Sequence, residues 1–343
     1  MKYVTGRLKA LFQQFVVWLK GDKKMRKALF IGVNGYTFIN PLSGCNNDAI
    51  EMASVLTRHA SGTPNFHSKT LTTAEDNLSR HTLEASIQEL FSGSCDVALL
   101  YFAGHGCFDT NLHEGMILPQ DYRNTSDGIR VSDILTWASN ATEIKNKIII
   151  LDCCEAGGAG ESKQLKGGSS IISDGITILT ACRKDEYAQE CAGHGVFTRL
   201  LLQALHGGAV NVLGHVTPGS LYSFVDNALG PWEQRPVFKT NVSEFISLKE
   251  HTPLVPLETL RRLPEWFPEA ESVFALTPAY EPEHPDFDPK LGEVFSQLQQ
   301  CNRHSLIEPV DAEHMYFAAI NSRGCRLTAL GSYYRELAKK GHF

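Results

Sequence analysis

The chain has 343 residues, of which 43% are apolar and 20% charged, with a formal net charge of −6. That balance supports a packed core, excludes a largely disordered chain, and gives no basic field for nucleic acid. Its nine cysteines are odd in number and lack any C-x-x-C spacing, which fits reduced thiols in the cytoplasm better than a disulfide framework.

Residues 1–26 read as a basic amphipathic segment. Leu8, Leu11, Phe12, Phe15, Val16 and Leu19 recur at helical spacing among Arg7, Lys9, Lys20, Lys23 and Lys24. Gln13 and Gln14 interrupt any secretory core, and no apolar run approaches the roughly 20 residues of a bilayer span. A surface helix docked on the body, or an over-long start with initiation at Met25, is the plainer reading. A membrane-surface or partner-docking helix is the alternative.

From residue 27 to 250 strands and helices alternate. Ala28–Val33 is expected as a first strand, Asn46–His59 as a helix, Lys69–Thr72 as a short strand, and Leu78–Phe91 as a helix capped by Asn77. The run V-A-L-L-Y-F-A-G-H-G (97–106) is a strand that delivers His105. Met116–Leu118 is a small extra strand and Val131–Ala138 a helix. The run I-I-I-L-D-C-C-E-A-G (148–157) is a strand that delivers Cys153 and Cys154. A glycine- and serine-rich stretch at 157–175 follows, with no periodic apolar face. Next come a strand at Ile176–Cys182, a helix at Gly195–Leu205, a helix from Thr217–Pro218 to Leu229, and an edge strand at Val237–Thr240. Unbroken apolar runs alternating with helices imply a doubly wound, mostly parallel sheet covered on both faces.

Composition changes near residue 250. Eight prolines between 252 and 289 read as a linker, 251–289, with one short helical turn. Residues 290–343 read as a small, mostly helical module with a winged-helix-like pattern. Its helices are expected at Lys290–Gln300, Ala312–Asn321 and Arg326–Lys340, the last opened by Thr328.

The chemistry gathers at two strand ends. In parallel sheets the working groups collect at the carboxyl edge. A thiol attacks a carbonyl only as thiolate, and a neighbouring imidazole can take its proton and return it to the leaving amine. Gly104 and Gly106 flank His105 and let backbone amides approach a substrate. The amides of Gly106 and Cys154 are the candidate oxyanion donors. Two buried thiols with a core histidine, or a zinc site from Cys153, Cys154 and His105, are the competing readings; adjacent cysteines lack the usual zinc spacing. A nucleotide-binding α/β protein fails, because G-V-N-G-Y offers neither a dinucleotide fingerprint nor a P-loop.

These segments resemble the caspase-like cysteine peptidases, within them the metacaspase and bacterial caspase-homologue branch. The match lies in A-L-F-I-G-V-N-G-Y with L-S-G-C-N-N-D-A (28–49), Y-F-A-G-H-G (101–106), L-D-C-C-E-A-G (151–157) and I-T-I-L-T-A-C-R-K-D-E (176–186) with G-V-F-T-R-L-L-L-Q-A-L (195–205). The resemblance implies a Cys154–His105 dyad, with Cys154 in the nucleophile's place of D-x-C-x-x-G and Cys153 in the variable place. It implies an acidic pocket for a substrate arginine or lysine, carried by Asp152 and Asp185. The plainer alternatives are a loop-bracing or helix-capping carboxylate for Asp152 and a solvated charge for Asp185. Ala103 stands where the family usually has serine, and Glu155–Ala156 where it has histidine–serine, which leaves substrate contacts near Ala103 in doubt. Lys163 and Lys166 lie where family members are often nicked, so they are candidate self-cleavage sites, with an uncut surface loop as the alternative. No cofactor is required and no resident metal is expected. Some relatives need calcium, for which Asp109, Glu114, Asp121, Asp127 and Asp133 are the candidate acids, with ordinary surface acids as the alternative. The implied partners are protein or peptide substrates with a basic residue before the scissile bond, and a regulatory protein at the terminal module. A cell-death or defence role is implied by the family alone. A catalytically silent caspase-like scaffold is the competing functional class.

Overall fold

Apolar β-branched runs buried on both faces set the architecture. In chain order the first unit contains β1 (Arg26–Gly32), α1 (Cys45–Thr57), β2 (His67–Thr72), α2 (Arg80–Leu90) and β3 (Cys95–Ala103). Three short strands follow, β4 (Gly106–Asp109), β5 (Glu114–Ile117) and β6 (Ile129–Arg130), then α3 (Val131–Asn140) and β7 (Ile144–Asp152). The unit continues with β8 (Ile176–Thr180), β9 (Glu190–Cys191), β10 (His194–Gly195), α4 (Val196–Gln203), α5 (Pro218–Leu229) and β11 (Val237–Asn241). This computed structural model describes residues 25–110, 114–153, 172–181, 190–191, 194–230 and 236–343. The expectations made for residues 1–24, Cys154, Glu155, Ala156, Lys163, Lys166, Asp185 and Glu186 lie outside those residues.

The main sheet has six strands in the order β11-β8-β7-β3-β1-β2. All neighbours run parallel except β11, which closes the edge antiparallel to β8. Side chains alternate across β3. Ala98, Leu100 and Phe102 join a core that includes Leu83 and Ile87 of α2 and Ile134 of α3. Tyr101 points to the other layer, where its hydroxyl meets Thr198 of α4. Helices therefore cover both faces, as the unbroken apolar runs require. Ser79 caps α2, accepting from the Thr82 amide, two residues beyond the expected Asn77. Thr217 and Ser220 form a reciprocal capping box at the start of α5.

The end of β1 lies tight against α1. A Cβ at Gly32 would overlap the Cys45 carbonyl oxygen and crowd the Asn46 Cα at 2.8 Å. Both are backbone atoms that cannot move without shifting the helix. Gly32→Ala is expected to cost about 2 kcal/mol or more, read as a thermal midpoint lower by roughly 5 °C. A midpoint unchanged within one degree would show that this approach is not tight.

The second unit comprises Val210–Val216 and Glu250–Phe343. Here the expectation of a linker over 251–289 is corrected. That stretch holds α6 (Leu257–Arg261), α7 (Leu263–Trp266) and β12 (Val273–Ala275). It places Val255, Leu260, Leu263, Phe267 and Leu276 in the unit's core, each at most 1% exposed. The unit continues with α8 (Pro289–Arg303), β13 (Ile307–Val310), α9 (Met315–Ile320), β14 (Gly324–Leu327) and α10 (Ala329–Lys339). A three-stranded antiparallel sheet, β12-β14-β13, underlies the helices. Among the described residues no helix is long and apolar enough to cross a membrane.

Candidate active site

Three strand ends lie side by side. Gly32 of β1 is opposite Ala103 of β3, and Ala103 is opposite Asp152 of β7. The ladder runs one step further. Val33 N–H donates to Ala103 O (2.9 Å), and Gly104 N–H donates to Asp152 O (3.3 Å). His105 follows Ala103 by two positions, and Cys153 follows Asp152 by one. Neighbouring strands run about 4.8 Å apart. The backbone thus carries His105 and the β7 exit to one edge of the sheet.

Tyr36, which the sequence did not single out, holds the histidine. Its phenol oxygen accepts from His105 N–H (2.6 Å) and donates to Leu118 O (3.4 Å). The two rings tilt against each other with centroids 4.8 Å apart. Burial pushes the Tyr36 phenol well above its ordinary range, and the Cys45 and Cys153 thiols add to the rise, although the His105 amide opposes it. The phenol therefore stays neutral. Gly104 has a packing reason of its own. A Cβ there would meet the Tyr36 hydroxyl at 2.7 Å and the Phe102 ring at 2.8 Å.

The imidazole has one tautomer fixed by its partner. His105 Nε2 lies 2.9 Å from Asn40 O. A carbonyl oxygen only accepts, so Nε2 carries the proton and the neutral ring keeps its lone pair on Nδ1. That is the form a general base needs.

Gly106 opens β4 opposite Ile117 of β5. Leu118 N–H donates to His105 O (3.0 Å) and brackets that pair. By the alternation of an antiparallel ladder, the Gly106 amide then points away from β5. Ala103 is 1% exposed between Gly32 and Asp152.

Cys153 is also 1% exposed and packs in the core with Leu151. The described thiols Cys45, Cys95, Cys107, Cys153, Cys301 and Cys325 are all free of disulfides. Burial pushes Cys301 and Cys325 up to about 12, and Cys95 up as well, so these are packing thiols rather than nucleophiles.

Asp152 is 6% exposed and belongs to a buried acidic pair at the N-terminus of α4. The cap residue Gly195 brings no side chain to that terminus, and carboxylates from elsewhere supply the acceptors. Asp152 Oδ2 accepts from Thr198 Oγ1 (2.6 Å) and from Thr198 N–H (3.3 Å). Asp48, from α1, accepts from Gly195 N–H on Oδ2 (3.0 Å) and meets His194 Nδ1 through Oδ1 (2.8 Å). Because the Thr198 hydroxyl donates to Asp152, the Tyr101 hydroxyl 2.5 Å away donates to Thr198. Burial pushes the Tyr101 phenol far up, and the charges of Asp152 and then Asp48 push it further. Both carboxylates therefore act on one buried phenol. Asp48 escaped the sequence reading because a single acid in an amphipathic helix normally faces solvent. The motif L-S-G-C-N-N-D-A was the only signal that could have marked it.

Three of the acids weighed for calcium accept local backbone hydrogen bonds. Glu114 accepts from Ser132 N–H, Asp121 from Arg80 N–H, and Asp127 from the amides of Arg123 and Asn124. Among the described residues no group of three or more His, Cys, Asp or Glu side chains is placed to hold a metal ion.

A parallel sheet that presents a tautomer-fixed histidine beside the exit of a cysteine-bearing strand has the layout of a cysteine peptidase. The chain belongs to the caspase-domain family: the model of that domain (Peptidase_C14, "Caspase domain") matches residues 25–245. Among solved structures the chain is similar to protein GSU0716 from Geobacter sulfurreducens, at 17% identity and a TM-score of 0.49, with 66% of this chain and 98% of that one covered. It is also similar to caspase-1 from Spodoptera frugiperda, at 14% identity and a TM-score of 0.49, covering 66% and 91% respectively. No curated protein matches it in sequence.

Proposed function

We propose that this chain is a cysteine endopeptidase of the metacaspase type that cuts after arginine or lysine. Cys154 attacks the scissile carbonyl, and His105 Nδ1 takes the thiol proton and returns it to the departing amine. The amides of Gly106 and Cys154 receive the oxyanion. The observation that carries this reading is the Ala103–Asp152 register. In sequence, His105 and Cys154 each stand two positions past that pair, so equal lengths of chain separate both reactive groups from adjacent strand ends.

Asp152 supports the basic preference. A buried carboxylate is favoured in its ionised form by cations and hydrogen bonds, and a substrate guanidinium is a cation that makes charge-assisted hydrogen bonds to such an acid. Asp185 is a further candidate for that pocket. The helix-capping role weighed for Asp152 is compatible, since accepting from Thr198 leaves the carboxylate's negative charge in place. The chemistry as written draws on no metal ion, and the reduced thiols suit a cytoplasmic enzyme. Regulation in a cell-death or defence setting, with self-cleavage at Lys163 or Lys166, is part of the same reading.

The test is a set of fluorogenic peptides differing only in the residue before the reporter. Arginine and lysine peptides are expected to be cleaved, with the aspartate peptide at background. A preference for aspartate would overturn the pocket assignment. No cleavage of any peptide, together with no labelling of Cys154 by a peptidyl electrophile, would favour the silent scaffold.

A further inference from the structure

One side-chain hydroxyl is spliced into the backbone ladder at the histidine. Gly106 lies opposite Ile117 in the antiparallel pair β4–β5, so the next pair outward is His105 with Leu118. Residues at that position of a ladder exchange two hydrogen bonds, each N–H donating to the other's carbonyl. Leu118 makes its half, N–H to His105 O at 3.0 Å. Tyr36 occupies the place of the other half. Its phenol oxygen accepts from His105 N–H at 2.6 Å and lies 3.4 Å from Leu118 O. The short bond to the histidine amide dominates, and the long contact to Leu118 is the weaker one.

The surroundings are arranged around that hydroxyl. Tyr36 is buried, and the loop that carries it is tied down on both sides. Asn34 N–H donates to Thr73 Oγ1 (3.1 Å), and Thr37 N–H donates to Gln120 O (2.9 Å). Gly104, the residue before His105, is the position whose Cβ would crowd the phenol oxygen at 2.7 Å. Burial keeps the phenol protonated, so one oxygen can accept and donate. Cohesion alone calls for none of this. A direct bond from His105 N–H to Leu118 O would satisfy the same backbone groups, and phenylalanine would pack the same ring. The inserted oxygen holds the His105 amide away from Leu118. It thereby sets the point from which the imidazole and the Gly106 N–H project.

We infer that Tyr36 is a positioning residue for the peptidase proposed above: its hydroxyl, inserted between His105 N–H and Leu118 O, fixes where the base and the Gly106 amide stand. The inference rests on that reading. Tyr36 itself is assigned no proton transfer and no contact with substrate. Its leverage is geometric, because about 1 Å of misplacement in a catalytic group can cost about 10²-fold in rate.

The experiment compares the full-length parent with Tyr36→Phe, His105→Ala and the double variant. Two rates are read well below the thermal midpoints. One is cleavage of an arginine fluorogenic peptide. The other is alkylation of Cys154 by iodoacetamide at neutral pH, followed by mass spectrometry, which needs no turnover and reports the thiolate. Tyr36→Phe is expected to lower kcat about 10- to 100-fold with KM within about threefold, and to slow alkylation several-fold. A tyrosine that only packs the core would shift the midpoint and neither rate. In the His105→Ala background the same substitution should change alkylation by less than about twofold, because the group it positions is gone. Equal slowing in both backgrounds would overturn the inference. Parent rates in Tyr36→Phe, beside a His105→Ala protein that has lost both, would also overturn it and leave the peptidase reading standing. Parent alkylation in His105→Ala would overturn the dyad, and the positioning role with it. Should Tyr36→Phe fail to fold, Gly104→Ala decides. Its Cβ displaces the hydroxyl while the phenol stays in the chain, so kcat should fall with KM held, and a parent kcat would overturn the inference.

Discussion

Replacing His105 with alanine is expected to lower kcat on an arginine peptide by about 10³-fold or more, with KM changed only a few-fold. In the proposed mechanism the imidazole acts on the thiol proton and the leaving amine, and both transfers occur in bond-making and bond-breaking steps rather than in binding. Cys154→Ala should fall at least as far. If the two groups act as one unit, as proposed, the double variant should be no worse than the poorer single one. Cys153→Ala is the informative control. That thiol sits in the core at 1% exposure, so its loss should cost roughly 1 kcal/mol of stability and leave kcat near the parent value. A Cys153→Ala enzyme that is dead, beside a Cys154→Ala enzyme that works, would exchange the two roles. Full activity in His105→Ala would remove the dyad altogether.

The strands that place these residues were legible because their physics is local. Val97–Phe102 and Ile148–Leu151 are apolar without interruption, which suits only strands covered on both faces, and both end on polar reactive groups. The helix starting at Pro218 was legible for the same reason, since Thr217 and Pro218 carry the start signal themselves. Proline misled the reading further on. Pro264, Pro278 and Pro289 stand in the first turns of α7, of a short 3₁₀ turn at Pro278–Tyr280, and of α8. There the missing amide costs nothing, so dense proline marked repeated helix starts rather than an open linker. The strands β12, β13 and β14 were missed because each has three or four residues, too few for an alternating pattern to stand out. Tyr36 and Asp48 escaped for a different reason. Their partners lie far away in sequence, at Leu118 and His105 for the phenol and at His194 and Gly195 for the carboxylate. Only tertiary packing creates those contacts.

Asp152→Asn should separate the two duties of that carboxylate. Its structural duty is to accept from the Thr198 amide and hydroxyl at the start of α4. Asparagine keeps a side-chain oxygen for this, so the variant should lose about 1 kcal/mol or less of stability. Its proposed functional duty is to present negative charge to a substrate guanidinium, and asparagine cannot do that. Loss of one partner from a buried charge pair costs about 2–5 kcal/mol, and each 1.4 kcal/mol is about tenfold. We therefore expect kcat/KM for an arginine peptide to fall by roughly 10²-fold, while that for a matched neutral peptide stays within a few-fold. Asp48 remains in the variant and contributes negative charge nearby, which is why the loss falls short of the upper limit. Asp152→Ala removes both duties. It should add an unsatisfied Thr198 amide and cost about 1–3 kcal/mol of stability besides the same loss of discrimination. If Asp152→Asn keeps the arginine-to-neutral ratio of the parent while melting normally, the carboxylate is a helix cap and nothing more, and the specificity must come from elsewhere in the groove.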